Sequence, residues 1–344
     1  MVLLSAAGLA LAVSLLAPFG IKPLLRRLNV VDIPTVRSSH SGPAIRGAGL
    51  ATLAGFVAGC VVLLVWGKTA DLGLITIILC SSIAAAGVGW VEDCKGISIK
   101  LRIVWQIVIG MTATGLIAAL SGSQLWLIGI GGILVAGFIN VANFMDGIDG
   151  ISAFHGAIFG AMYAVAGLLT AEWWLVATGL ILSAVYLAFI PWNLGKESIF
   201  LGDSGSYLLG GAVSVMAIAA VCSGISPLMM VGPLAIYLAD SSFTLLSRIS
   251  RGERWYESHR AHIYHQLEDL GMRHVSVAGI VAGASCLTGV LGFLAARTTP
   301  WGALLYIAFA VAVIAAYLAS PQIIRQRDSR RNEGGITSEN VEHG

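Results

Sequence analysis

Between Asn140 and Gly150 the chain reads Asn-Val-Ala-Asn-Phe-Met-Asp-Gly-Ile-Asp-Gly, with apolar sequence on both sides. Two carboxamides and two carboxylates, Asn140, Asn143, Asp146 and Asp149, recur there at strict three-residue spacing. Ionisable groups beside a membrane-length apolar run are costly, and they usually mark a site. Residues three apart are neighbours on a helix, yet three such steps drift around an axis with 3.6 residues per turn. All four side chains can face one cavity only if the helix ends or tightens here, which Gly147 and Gly150 permit. The plain alternative is a polar helix end followed by a glycine turn.

Four further segments carry functional groups. Val31-Asp32-Ile33-Pro34 leads through Arg37 to His40 and on to Gly47 and Gly49; alone, it reads as a basic membrane-flanking loop. Glu92-Asp93 ends an apolar run and is followed by Ile97-Ser98-Ile99-Lys100-Leu101-Arg102. Two adjacent carboxylates repel, so a metal or the cations Lys100 and Arg102 would relieve them; a poised carboxylate also suits general base work. Solvated helix-capping acids explain this pair equally well. Asn193 precedes Phe200-Leu201-Gly202-Asp203-Ser204-Gly205-Ser206, where glycines let a ligand approach the backbone. The N–H groups of such a helix start suit phosphate, and Asp203 suits magnesium, which binds substrate phosphates as well; an ordinary N-cap is the alternative. Last, His259-Arg260-Ala261-His262 supplies imidazole and a bidentate guanidinium, a phosphate-contacting set, or else a basic segment lying on headgroups. No third ligand makes the histidine pair a zinc site. Asp240, inside an apolar span, reads as structural, paired with an arginine; His155 reads as a core residue, and His274 carries no signal.

The elements that must hold these groups are membrane spans. Hydrophobic residues make up 57% of the 344 and charged residues 11%, against about a quarter charged in soluble domains. Eleven stretches reach spanning length: roughly 2–23, 47–66, 72–91, 103–121, 124–143, 151–169, 172–192, 206–223, 226–247, 275–296 and 300–320. The first has its basic residues after it, unlike a cleaved signal peptide. The expectation is an all-α polytopic membrane protein, one domain over 1–320, with a polar, disordered tail over 321–344. Eighteen of the twenty Lys and Arg fall on one side, leaving Lys68 and Arg297 on the other. The positive-inside rule puts the N-terminus outside, the C-terminus in the cytoplasm and every chemistry-bearing segment on the cytoplasmic face. The five cysteines form no CxxC pair, and a net charge of +2 gives no footing for nucleic acid.

Taken in order, these segments resemble the polyprenyl-phosphate N-acetylhexosamine-1-phosphate transferase family. The match runs from Asp-x-Pro-x-x-Arg-x-x-His at Asp32–His40, through the acidic pair with Ile-Ser-x-Lys-x-Arg and the Asn-x-x-Asn-x-x-Asp-Gly-Ile-Asp-Gly core. It continues through Asn193 ten residues before Asp203, to Asp240 and the His-Arg-Ala-His loop. The resemblance implies transfer of a sugar-1-phosphate from a UDP-sugar to undecaprenyl phosphate with release of UMP, in the bacterial plasma membrane. It implies Mg²⁺, with Mn²⁺ as an alternative, held by Asp203 with Asn143. Glu92 and Asp93 would orient or deprotonate the lipid phosphate, and Asp146, Asp149 and Asn193 would hold the uridine side. Lys100, Arg102, His259, Arg260 and His262, with Arg37 and His40, would contact substrate phosphates. A homodimer is also implied. The chain departs from the family pattern at Glu92, where aspartate is usual, at Gly195-Lys196-Glu197 in place of Pro-Pro-Ala, and at Ile45-Arg46-Gly47-Ala48-Gly49. The three-histidine run of the muramoyl-pentapeptide enzyme is absent, which favours the O-antigen-type branch over that alternative. A transporter for an anionic solute is the reading from another class; clustering of the polar groups at one face and the lack of a repeat count against it.

Overall fold

The computed structural model describes residues 1–28, 30–32, 44–67, 71–195, 199–253 and 260–339, with the backbone alone at 31, 32, 44 and 327–339. Among the described residues, eleven helices are long and apolar enough to cross a membrane. They are α1 (Val2–Arg27), α2 (Gly49–Trp66), α3 (Leu72–Lys95), α4 (Ile99–Ser121), α5 (Leu127–Phe144), α6 (Ile151–Thr170), α7 (Trp173–Asn193), α8 (Gly202–Cys222), a broken span over Pro227–Ser250, α12 (His274–Ala296) and α13 (Pro300–Glu339). The broken span is α9 (Pro227–Val231), a single 3₁₀ turn over Gly232–Leu234, and α10 (Ala235–Ser250). Pro233 cannot donate into the helical ladder, and Gly232 packs directly on the α12 backbone at Thr288 and Gly289. A seven-residue helix, α11 (Ile263–Asp269), lies in the loop before α12.

Two boundaries and one element differ from expectation. The helix expected from 206 begins four residues earlier, at Gly202, because its polar start is buried rather than hydrated. The final helix continues past Pro321 to Glu339, where a polar tail was expected. A two-stranded antiparallel ribbon, β1 (Val31–Asp32) with β2 (Ala44–Ile45), interrupts the otherwise helical fold.

Helix α8 is the axis of the molecule. Every residue from Leu201 to Met216 is buried, although lipid would have tolerated apolar exposure. Its neighbours reach it through small residues, the usual means of close approach where apolar surface alone drives no association in lipid. Gly210 abuts Ile139 of α5, Gly211 abuts Ala85 of α3, and Gly89 of α3 faces the backbone carbonyl of Asp203. A Cβ at Gly89 would collide with that carbonyl, whereas one at Gly87, on the same helix, meets nothing within 4 Å. Gly89→Val is therefore expected to cost roughly 1–3 kcal/mol as overpacking and to lower the thermal unfolding midpoint in detergent, with Gly87→Val as the unaffected control. Equal midpoints for the two variants would refute this packing.

Candidate active site

The site lies at the foot of α8. Gly202 turns into the helix at φ +73°, and no side chain of the segment caps it. Asp93 of α3 does so from across the bundle: its two carboxylate oxygens accept the backbone N–H groups of Asp203 and Ser204, both at 2.9 Å. The sequence expectation gave these N–H groups to phosphate. An internal carboxylate takes them, since a helix N-terminus attracts any nearby anion. Asp93 is fully buried in its side chain, and Arg46 supplies its counter-charge, Nε to Oδ1 at 2.9 Å. The same guanidinium reaches Asp203 through Nη2, 2.7 Å from Oδ1. Asn143 donates to that same oxygen at 2.8 Å and to Ser206 Oγ at 3.1 Å. One arginine and one carboxamide thus hold together two carboxylates from different helices.

Backbone pairing aims Arg46. The residue after β2 hangs from Val30 through its own N–H, 3.2 Å. Beside it, Phe200 donates to the Ile45 carbonyl at 2.8 Å, and Ala48 and Gly49 donate to the carbonyls of Phe200 and Leu201 at 3.1 and 2.8 Å. Residues 45–49 are stitched to the segment that enters α8, so the guanidinium sits over Asp203 by register.

Helix α5 ends at Phe144, and Met145–Gly150 form a turn. The four polar residues therefore fan apart. Asn140 points away from the site, donating to Gln106 and Ala136, while Asn143 faces Asp203. Asp149 takes His274 of α12 at 3.2 Å. The Asp146 carboxyl is enclosed: burial pushes it up to about 7, opposed by the Ser152 hydroxyl and reinforced by the nearby Asp203 charge. Asn193, expected at the uridine, accepts the Gly150 N–H at 2.6 Å and donates to the Ile199 carbonyl at 3.2 Å, so it braces two site loops against each other.

The loop before α12 covers this turn. Tyr264 donates to the Phe144 carbonyl at 2.9 Å, and its hydroxyl and the His265 ring fill the space a side chain at position 147 would need. Fully buried Asp240 anchors the loop: it accepts from His262 Nδ1 at 3.0 Å, the Ile263 N–H at 3.1 Å, and Tyr317 of α13 at 2.6 Å. Its partners are thus a histidine and a tyrosine rather than the arginine expected from sequence. Glu268 gathers Arg260 (2.9 Å), His265 (3.1 Å) and His274 (3.3 Å). Desolvation would raise the Glu268 carboxyl, but His265 and Arg260 hold it below its ordinary value. Arg260, expected on phosphate, also pairs with Asp269 at 3.0 Å.

Glu92 stands apart from its neighbour: it closes the turn into α4 through the Ile97 N–H (2.6 Å) and Arg102 (3.0 Å). Lys100 is exposed beside them. Arg37, His40 and His259 lie outside the described residues. Arg46, Glu268 and His274 are the site residues that sequence reasoning did not single out. No group of three metal-binding His, Cys, Asp or Glu side chains occurs among the described residues.

The perturbed Asp146 has a measurable consequence. In the unfolded chain its carboxyl releases a proton near 3.8; in the folded protein it keeps it to about 7. Over that interval the folded state binds the extra proton, so raising the pH disfavours folding, and the penalty is complete above pH 7. The unfolding midpoint is expected to fall between pH 5 and pH 8 by more in the wild type than in Asp146→Asn. Parallel pH profiles for the two proteins would show that the carboxyl is not so placed.

The chain is similar to known proteins. The model of glycosyl transferase family 4 matches residues 75–221, from α3 through α8. A probable undecaprenyl-phosphate N-acetylglucosaminyl 1-phosphate transferase of Bacillus subtilis is 26% identical over 291 residues, covering 77% of this chain and 78% of the relative. A decaprenyl-phosphate N-acetylglucosaminephosphotransferase of Mycobacterium leprae is 25% identical, covering 80% and 78%. A phospho-N-acetylmuramoyl-pentapeptide-transferase of Clostridium botulinum is 26% identical, covering 79% and 90%. The matched region holds Asp93, Asn143 and Asp203 at the foot of α8, and glycosyl transferase family 4 is the family this chain resembles.

Proposed function

We propose that this protein transfers an N-acetylated hexosamine-1-phosphate from a UDP-sugar to undecaprenyl phosphate, starting a cell-envelope polysaccharide. The observation that carries the reading is the cluster of Arg46, Asp93, Asp203 and Asn143 at one end of the bundle, on the face to which the sequence's loop charges assign eighteen of the twenty cationic residues. By the positive-inside rule that face is cytoplasmic, where a water-soluble nucleotide donor meets a lipid acceptor. Relatives named for N-acetylglucosamine favour such a donor. The His-Arg-Ala-His pattern, in place of a three-histidine run, favours it over the muramoyl pentapeptide.

In the net reaction an oxygen of the lipid phosphate becomes bonded to the sugar-bearing phosphorus. The bond from that phosphorus to the bridging oxygen breaks, and UMP leaves with the electron pair. Both reactants are anions, so the task is to neutralise and position charge. Arg46 keeps one face toward solvent, its side chain 35% exposed, and can share its charge with an arriving phosphate. Exposed Lys100 would add a further cation for substrate phosphate. Asp93 acts as a positioning residue, because both its oxygens are committed to the start of α8 and to Arg46. Asp146 and Asp149 line the donor side of the turn.

The donor set suits magnesium. Among the described residues, Asp203 Oδ2 and the Asn143 amide oxygen take none of the hydrogen bonds that hold their partner atoms. One carboxylate and one amide are few ligands for a zinc site, but Mg²⁺ commonly keeps several waters and completes its shell with substrate phosphates. When bound, the ion would supply positive charge between the two reacting phosphates.

The purified protein, given undecaprenyl phosphate, Mg²⁺ and a panel of UDP-sugars, is expected to release UMP with an N-acetylhexosamine donor; silence with every sugar would overturn the reading. Asp203→Asn is expected to lower kcat by roughly 100-fold or more and to weaken the magnesium dependence. Near-normal turnover in that variant would remove Asp203 from the metal site.

A further inference from the structure

A carboxylate inside a membrane span is costly, and Asp240 on α10 is fully buried. Four donors from three elements converge on it. Its Oδ1 takes the Ile263 N–H, His262 Nδ1 and, at 3.3 Å, the Thr244 hydroxyl, while Oδ2 takes the Tyr317 hydroxyl. Anchoring the loop would need only the Ile263 N–H; the remaining contacts fix one imidazole. A backbone N–H can only donate, so Oδ1 is an acceptor, and the nitrogen facing it must carry the proton. His262 is thereby held as the Nδ1–H tautomer, with Nε2 left over. No described residue takes Nε2. The ring is otherwise closed in: its side chain is 11% exposed, with Phe144 and Tyr264 against it at ring-centroid distances of 6.3 and 5.5 Å. His155 gives the contrast. It is fully buried, and both its nitrogens are occupied within the fold, by the Ile151 carbonyl and the Ser285 hydroxyl.

A histidine whose rotation and tautomer are both held, with one nitrogen unclaimed beside the end of α5, is arranged for a ligand rather than for the fold. Tyr317 is the far end of the arrangement. Trp301 and Phe309 of α13 are exposed, whereas Tyr317 is buried and turns its hydroxyl inward to the carboxylate. The last span thus reaches the loop through a single side chain of α10. We propose that Asp240 and Tyr317 are positioning residues, which together hold His262 with Nε2 presented to a nucleotide-sugar at the Met145–Gly150 turn. They act through the imidazole and leave the substrate to it. The identity of that substrate rests on the transferase reading; the clasp itself does not.

One arm of the test needs no turnover. Nitrogen-15 spectra of ring-labelled histidine in the full-length protein, with His262 identified by its loss in His262→Gln, are expected to show the neutral ring protonated at Nδ1. In Asp240→Asn an amide offers one oxygen to the four donors, and the Nδ1–H signature is expected to weaken. In the kinetic arm, kcat/KM for the UDP-sugar is expected to fall roughly 100-fold in Asp240→Asn and roughly tenfold in Tyr317→Phe, as for a misplaced reacting group. KM for undecaprenyl phosphate is expected to stay unchanged. Neither substitution is expected to reduce the rate further in a His262→Gln background, because residues acting as one unit are not additive. Tyr317→Phe, which leaves the carboxylate in place, serves both arms if Asp240→Asn does not fold. A wild-type ring protonated at Nε2, equal losses toward both substrates, or a full further loss on top of His262→Gln would each overturn the proposal. UMP release by the wild type with spectra and rates unaltered in both variants defeats the clasp alone. The expected spectra without UMP from any sugar defeat the transferase reading alone.

Discussion

The structure depends on a carboxylate from one helix closing the start of another. With Asp93 in place, the first N–H groups of α8 are satisfied, and a polar Gly-Asp-Ser-Gly start can lie inside the protein instead of in water. Breaking such an arrangement on one side would leave either bare N–H groups or a bare carboxylate in a low-dielectric setting, which is far costlier than the bonds are stabilising. Arg46 completes the balance: it spreads one positive charge over Asp93 and Asp203, whose mutual repulsion would otherwise loosen the joint between α3 and α8. The joint between α3 and α8 and the candidate site draw on the same three side chains.

Around that joint the contacts differ in kind. Below it, α8 is packed against α2, α3 and α5 through glycine contacts that leave no room for adjustment. Above it, the residues from Arg260 to His274 bury Ile263, Tyr264 and Leu267, while their polar side chains are held by hydrogen bonds and ion pairs to Asp149 and Asp240 and among themselves through Glu268. Such contacts can be exchanged for bonds to a substrate at little net change, whereas close-packed helix backbones cannot.

The spans were legible because length and hydropathy determine them, and the five polar segments because charge is expensive beside lipid. Orientation of individual side chains was not legible. Glu92 and Asp93 look like one acidic pair, but consecutive helical residues point about 100° apart, so one serves the α4 turn and the other α8. Arg46 was hidden among cations that the membrane places on that face for topology. Asn193 looked like a ligand contact; its amide is consumed by Gly150 and Ile199, a pairing across 43 residues in one direction that no local pattern records. The start of α8 was misplaced by four residues for the same reason: its cap arrives from 110 positions away.

The backbone stitch between residues 45–49 and 199–201 has a further meaning. A ribbon turns successive side chains to opposite faces, so a one-residue slip reverses them all. Arg46 reaches its two carboxylates only while Ile45 stays paired with Phe200. The two loops are therefore coupled in length: either can change its sequence, but an insertion between Ile45 and Gly49 would turn the guanidinium outward. Surface loops ordinarily absorb such insertions; here the connection behaves as a ruler.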